Sequence, residues 1–183
     1  MSKRASTASA QREGDLHSAV AFYLPNLIYG ANDGIVTTLV VVSGVAGAAL
    51  SSNVVVILGF VNLLADGFSM GTSNVLSVRS TVTAEARPSL TEAAWHGLVT
   101  FAGFVAAGLL PLLAYLLPIP DEVRFPAACT VAAGALFTIG AGRALFSDRS
   151  WSAAGIEMLV LGTVAAGVAY GVGAIAAALV RLA

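Results

Sequence analysis

The chain has 183 residues, 57% of them hydrophobic and 10% charged, with a formal net charge of −1. A soluble domain carries about 25% charged residues, so this composition excludes an ordinary water-soluble fold and points to a membrane protein. The near-zero charge argues against nucleic acid as a partner, and the single cysteine, Cys129, excludes an intrachain disulfide and a cysteine metal cluster.

Residues 1–20 are polar, rich in Ser and Ala, and mix Lys3, Arg4 and Arg12 with Glu13 and Asp15. They read as a disordered cytoplasmic tail ahead of a transmembrane domain over 21–183. No short apolar core with a small-residue cleavage site precedes the first full-length span, so a cleaved signal is not expected. Five apolar stretches follow, at about 28–50, 54–78, 94–117, 124–146 and 153–180. Each reaches the roughly 20 residues needed to cross a hydrocarbon core of about 30 Å. The expected fold is therefore all-α and integral to the membrane, with five transmembrane helices and little chain outside the lipid bilayer.

The junctions agree with that count. Pro25 and Asn26 stand where the tail meets the first span, and Ser51 and Ser52 form the first turn. Pro88 breaks the second connection beside Glu85, Arg87 and Glu92, and Pro118, Pro120, Asp121 and Glu122 make the third. Ser147, Asp148, Arg149 and Ser150 make the fourth, with Trp151 as an interfacial anchor. A cytoplasmic N-terminus puts Lys3, Arg4, Arg12, Arg79, Arg87, Arg143 and Arg149 inside and only Arg124 and Arg181 outside. The positive-inside rule thus gives N-in, C-out. Small residues four apart, Gly30 with Gly34, Gly103 with Ala107 and Gly167 with Gly171, suit close helix packing where lipid supplies no hydrophobic drive.

Two aspartates interrupt the first two spans. Asp33 lies in Gly30-Ala31-Asn32-Asp33-Gly34 and Asp66 in Ala65-Asp66-Gly67-Phe68-Ser69-Met70. A carboxylate at membrane depth is costly and by default faces a polar cavity on an ion or proton path. In an antiparallel hairpin turning at Ser51-Ser52, Asp33 and Met70 fall at one depth, roughly 12 Å from the cytoplasmic surface at 1.5 Å per residue. Asn62, Asp66 and Met70 recur every four residues and share a face, flanked by Ser69, Ser73, Asn74 and Ser77, so a polar stripe leads from the cytoplasm inward.

Carboxylate, amide and hydroxyl oxygens with one thioether suit a borderline divalent ion such as Fe²⁺ or Mn²⁺. His17 and His96 are far apart in the chain, and Met70 has no sulfur companion, which argues against zinc and Cu(I). Taken alone, Met70 also reads as a core filler, and Asp33 as a carboxylate satisfied by Thr37, Asn32 or a neighbouring helix. Glu157, about a turn inside the fifth span, reads either as a partner of Arg143 or Arg149 or as a proton relay or second ion site. His96 could titrate near neutral pH or serve as a hydrogen-bonded interface residue.

These residues resemble the vacuolar iron transporter family, also called the iron and manganese transporters of the yeast calcium cross-complementer type. The likeness is carried by Gly30-Ala31-Asn32-Asp33-Gly34-Ile35-Val36-Thr37-Thr38, then Val45-Ala46-Gly47-Ala48, then Asp66-Gly67-Phe68-Ser69-Met70-Gly71, and finally Trp151 to Glu157-Met158. It implies a five-helix protomer, a homodimer whose interface forms the ion path, and export of Fe²⁺ or Mn²⁺ from the cytosol in exchange for protons. By the same resemblance Asp33 and Met70 match membrane-embedded metal ligands. Members also tend to carry glutamates on the second span where this chain has Asn62 and Asn74, and Asp66 reads as a further metal ligand that partly replaces that charge. Members of that family carry a glutamate-rich cytoplasmic helical domain between the second and third spans, where this chain has only the stretch from Arg79 to Glu92. It is therefore a short form. The resemblance implies no resident cofactor, and the metal enters as substrate.

Three rival readings were weighed. Gly67-Phe68-Ser69-Met70-Gly71 fits the G-x-S-x-G nucleophile pattern, but that motif needs a strand-to-helix elbow and a nearby histidine base, so an enzyme is not expected. A transporter of another small solute and a non-transporting membrane scaffold are the alternatives. Alanine, glycine and arginine richness points to a prokaryotic plasma membrane, or to a vacuolar-type membrane in a eukaryote.

Overall fold

The computed structural model of the protein describes residues 2–80, 88–144 and 149–182. Within them the chain forms helices α1 (Ser2–Gly47), α2 (Ser52–Ser80), α3 (Leu90–Leu116), α4 (Asp121–Arg143) and α5 (Trp151–Leu182), with no strand among the described residues. All five are long and apolar enough to cross a membrane, α1 through its Phe22–Gly47 portion. Glu85 and Arg87 of the second connection and Ser147 and Asp148 of the fourth lie outside the described residues.

α1 runs back to Ser2, so helical backbone occupies a segment whose composition reads as a disordered tail. The stretch has no proline before Pro25 and is rich in Ala, with Arg, Gln and Glu. These are strong helix formers, and they extend a helix that the apolar span has already nucleated.

The helix ends have local causes. α1 closes through Ala49, whose φ of 55° is left-handed, while the Leu50 amide donates to the Val45 carbonyl (3.2 Å) and the Ala49 amide to that of Ala46 (3.0 Å). That pairing satisfies carbonyls the helix would otherwise orphan and turns the chain into α2. α3 starts on a capping box: the Glu92 amide donates to Ser89 Oγ (3.2 Å), and the Ser89 amide donates to Glu92 Oε2 (2.9 Å). At the opposite end of the bundle Ser52 Oγ donates to Asp121 Oδ1 (3.2 Å), which also pairs with Arg124 (2.6 Å), tying the α1–α2 turn to the start of α4.

α1 is the central helix and packs against all the others, most extensively against α3. Contact is backbone to backbone. A Cβ on Gly30 would strike the Thr100 carbonyl, and one on Gly34 the Phe104 carbonyl; Gly103 and Gly108 reciprocate against the Leu27 and Gly34 carbonyls. The small-residue spacing expected of Gly30, Gly34 and Gly103 is therefore a packing device. Gly167 and Gly171 meet nothing within 4 Å, and it is Gly173 that abuts Gly44 to seat α5 on α1. Two apolar clusters fill the interior: Val42, Val45, Val55, Leu112 and Tyr115 toward the α1–α2 turn, and Ile35, Leu39, Ala107, Ala132 and Leu136 nearer mid-depth. α5 and one side of α2 present exposed Val, Leu and Ile along their length, as a lipid-facing surface does.

Candidate functional site

Phe104 of α3 works as a ruler for depth. It lies against both Gly34 of α1 and Gly67 of α2, so those glycines are near one depth, and since the helices are antiparallel Asp33 falls between Asp66 and Met70, about 3 Å in depth from each. The two carboxylates are close enough to repel each other. One turn away, Thr100 abuts Gly30 and is also hydrogen-bonded to Asn74, which fixes α2 in the register expected from the hairpin midpoint and sets Met70 within a turn of Asp33 in depth. Asp66 is midway between Ser52 and Ser80, the ends of α2.

Neither carboxylate is satisfied by its own chain. Among the described residues no hydrogen bond or ion pair reaches the Asp33 or Asp66 carboxylate. Thr37 donates its hydroxyl to the Asp33 backbone carbonyl (2.9 Å) rather than to the side chain, so it does not satisfy the carboxylate. Asp33 and Met70 are half-buried, and Asp66 is exposed in the isolated chain. Among the described residues no group of three His, Cys, Asp or Glu side chains is placed to hold a metal. A single copy thus offers two carboxylates and a thioether on a face of α1 and α2 that its other helices leave uncovered.

The flanking polar residues divide. Ser69 and Ser73 are exposed on α2, as a path lining requires, and Ser77 is exposed with a partner of its own. The Asn62 amide nitrogen is buried with no hydrogen-bond partner. Asn74 is tied down: its Nδ2 donates to Asn26 Oδ1 (3.0 Å) and to Thr100 Oγ1 (2.8 Å). Asn26 Nδ2 in turn donates to His96 Nδ1 (2.7 Å), and the Thr100 hydroxyl donates to the His96 carbonyl (2.9 Å). The His96 ring is buried between Phe22 and Tyr23, with centroids at 4.8 Å from each. This four-residue cluster joins α1, α2 and α3 and was not foreseen as a unit. The i,i+4 pair His96 and Thr100 on an otherwise apolar face was its one sequence signal.

On the other side of α1, a cavity of about 750 Å³ opens between α1, α4 and α5, lined by Tyr29, Asn32, Arg143, Arg149, Glu157 and Met158 among others. Glu157 pairs with Arg149 at 2.5 Å, one of the two arginines considered for it, while Arg143 Nη1 donates to Met158 Sδ (3.1 Å). The Asn32 side-chain oxygen is buried without a partner. Adjacent residues of one helix therefore serve two surfaces, Asn32 the cavity and Asp33 the α2 side.

A family model described as the VIT family matches residues 24–94 and 81–174. The vacuolar iron transporter homolog 1 of Oryza sativa subsp. japonica is 29% identical over 189 residues, covering 90% of this chain and 80% of that protein. The vacuolar iron transporter of Plasmodium falciparum (isolate 3D7) is 38% identical over 66 residues, and that of Toxoplasma gondii (strain ATCC 50861 / VEG) 44% over 55. These two matches cover 36% and 30% of this chain but only 24% and 18% of the respective relatives.

Proposed function

Because the chain belongs to the VIT family, we propose that it transports a divalent transition metal, Fe²⁺ or Mn²⁺, out of the cytosol in exchange for protons. One observation carries the proposal: Asp33 and Asp66 stand within a helical turn of each other in depth, and among the described residues neither carboxylate has a hydrogen-bond or ion-pair partner. A carboxylate left against lipid is costly, so a second copy of the chain is the cover that satisfies it. Octahedral oxygen-rich coordination, typical of Mn²⁺, also needs more donors than the two carboxylates and one thioether of a single copy. A homodimer doubles that set.

In this reading the cytosol lies at the α2–α3 end, where the excess of Lys and Arg is found. A cation arriving there passes Ser77, Ser73 and Asn74, sheds most of its water and is held by Asp33 and Met70 of both copies, with Asp66 next in line. Asn62 lies one turn beyond Asp66. Metal binding requires deprotonated carboxylates, so protons from the far side compete for the same oxygens and drive release. Two copies of Asp33 brought together repel unless a cation or a proton lies between them, which gives exchange its physical basis. Glu157, which lines the cavity with Asn32, passes protons at the cytosolic end in this reading. The composition supports a prokaryotic plasma membrane.

Reconstitution into liposomes tests the reading. Fe²⁺ and Mn²⁺ flux is expected, rising when the compartment receiving metal is acidified. Asp33→Asn should abolish that flux while leaving the protein folded and dimeric; a variant with normal flux would remove the mechanism.

A further inference from the structure

The three side-chain bonds of the cluster that joins α1, α2 and α3 each have a direction, and those directions follow from one proton. An amide nitrogen cannot accept, so Asn26 Nδ2 at 2.7 Å from His96 Nδ1 requires that ring nitrogen to be bare. The Asn26 carbonyl is then left facing Asn74, whose amino group fills it and also the Thr100 hydroxyl, and the Thr100 proton goes back to the His96 carbonyl. With its nitrogen so committed, the Asn74 carbonyl oxygen takes no part in the cluster. It belongs to the residue one helical turn from Met70 on the α2 face that carries Asp66.

A proton on His96 Nδ1 reverses the chain. Nδ1–H must donate, so Asn26 turns its carbonyl to the ring and its amino group to Asn74. Asn74 must then present its carbonyl inward, to Asn26 and to the Thr100 hydroxyl, and its amino group outward. The three side-chain bonds are satisfied in either sense and only the Thr100 donation to the His96 carbonyl is given up, so the reversal needs two carboxamide rotations and one hydroxyl rotation and no helix movement. The outward face changes from a cation-attracting oxygen to a cation-repelling amino group.

We propose that His96 is a positioning residue for the cation path: through Asn26, its protonation state sets which end of the Asn74 carboxamide faces the approaching metal. The inference rests on the transport reading and adds to it a control by cytosolic pH that His96 exerts without touching the metal. Among the described residues, the groups against the ring come from three helices. α1 contributes Asn26, Phe22 and the titratable Tyr23; α2 contributes Asn74 by way of Asn26; α3 contributes Thr100, with Glu92 one turn away and engaged by Ser89. Among the described residues no ion pair involves His96.

The test uses the full chain in liposomes, with Fe²⁺ as the probe, an outward Fe²⁺ gradient as the only drive and equal pH on both faces. Flux is compared from about pH 8 to about pH 5.5, on either side of neutrality. Wild-type flux is expected to fall about tenfold over that range. His96→Gln, neutral throughout, should transport with a clearly shallower fall, the remainder being proton competition at the carboxylates, and Asn26→Leu, which keeps the imidazole but cuts the relay, should make the profile shallower likewise. A wild-type profile in either variant overturns the proposal. His96→Asn repeats the test where His96→Gln does not reconstitute. Independently of transport, ¹⁵N shifts of the labelled rings in nanodiscs, assigned with His17→Gln, should show a bare Nδ1 on His96 at neutral pH; a protonated Nδ1 there refutes the relay. Absence of wild-type Fe²⁺ flux at any pH, with a bare Nδ1, would sink the transport reading and this control together while leaving the hydrogen-bond assignment standing.

Discussion

Met70 and Leu differ little in volume, so Met70→Leu separates the sulfur from the space it fills. A thioether favours softer cations over Mg²⁺ and Ca²⁺, which take oxygen alone. Competition of those ions against Fe²⁺ flux should therefore sharpen in Met70→Leu, and an equal loss for all ions would rule out a ligand role for the thioether. Glu157 gives a contrasting case at the same scale. Its ion pair with Arg149 joins side chains that are 43% and 66% exposed, and such pairs contribute about 1 kcal/mol or less. Glu157→Gln should leave the melting temperature in detergent nearly unchanged while reducing proton-driven flux. A large loss of stability with intact flux would return Glu157 to a purely structural role.

Among the helices, the α1–α3 contact is the least forgiving, because carbonyls of α3 occupy the space where side chains of α1 would begin. A methyl at Gly34 meets the Phe104 backbone, which cannot rotate away as a side chain can. Gly34→Ala should cost about 1–3 kcal/mol by overpacking and, by pushing α1 off α3, also disturb the placement of Asp33 beside Asp66. Gly134→Ala is the control: nothing lies within 4 Å of its added carbon, and alanine is the better helix former by about 1 kcal/mol, so stability should hold or rise. Thermal unfolding of the two variants in one detergent decides between them. The α1–α2 turn invites a complementary change. Ala49, exposed and at a φ of 55°, sits where glycine carries no steric penalty, and Ala49→Gly should stabilise by about 1 kcal/mol.

At the level of the whole molecule, five crossings and the Lys and Arg bias together require the termini on opposite sides of the membrane. Reporter fusions at the two ends should report opposite compartments, with the N-terminus cytosolic; matching compartments would contradict the five-span topology. The uncovered carboxylates make a second expectation. Native mass measurement in mild detergent should find a dimer, and a tandem-linked dimer carrying Asp33→Asn in one half should lose most of its flux, since both copies would contribute to one metal site.

The number of helices, their approximate ends and the register of α1 against α2 were legible in the chain itself. Hydrocarbon thickness fixes span length, and a short turn fixes which residues are level, so neither depends on distant contacts. The aspartates announced themselves because a charge in a long apolar run has so few explanations. What required tertiary structure was the use made of the neutral polar residues. Asn74 looked like path lining, and only the approach of α1 and α3 showed its amino group spent on Asn26 and Thr100. His96, the Asn32 cavity and the choice of Arg149 over Arg143 for Glu157 belong to the same class. Sequence periodicity gives the face on which an amide stands; which hydrogen bonds it makes is decided by the neighbour that folding brings to that face.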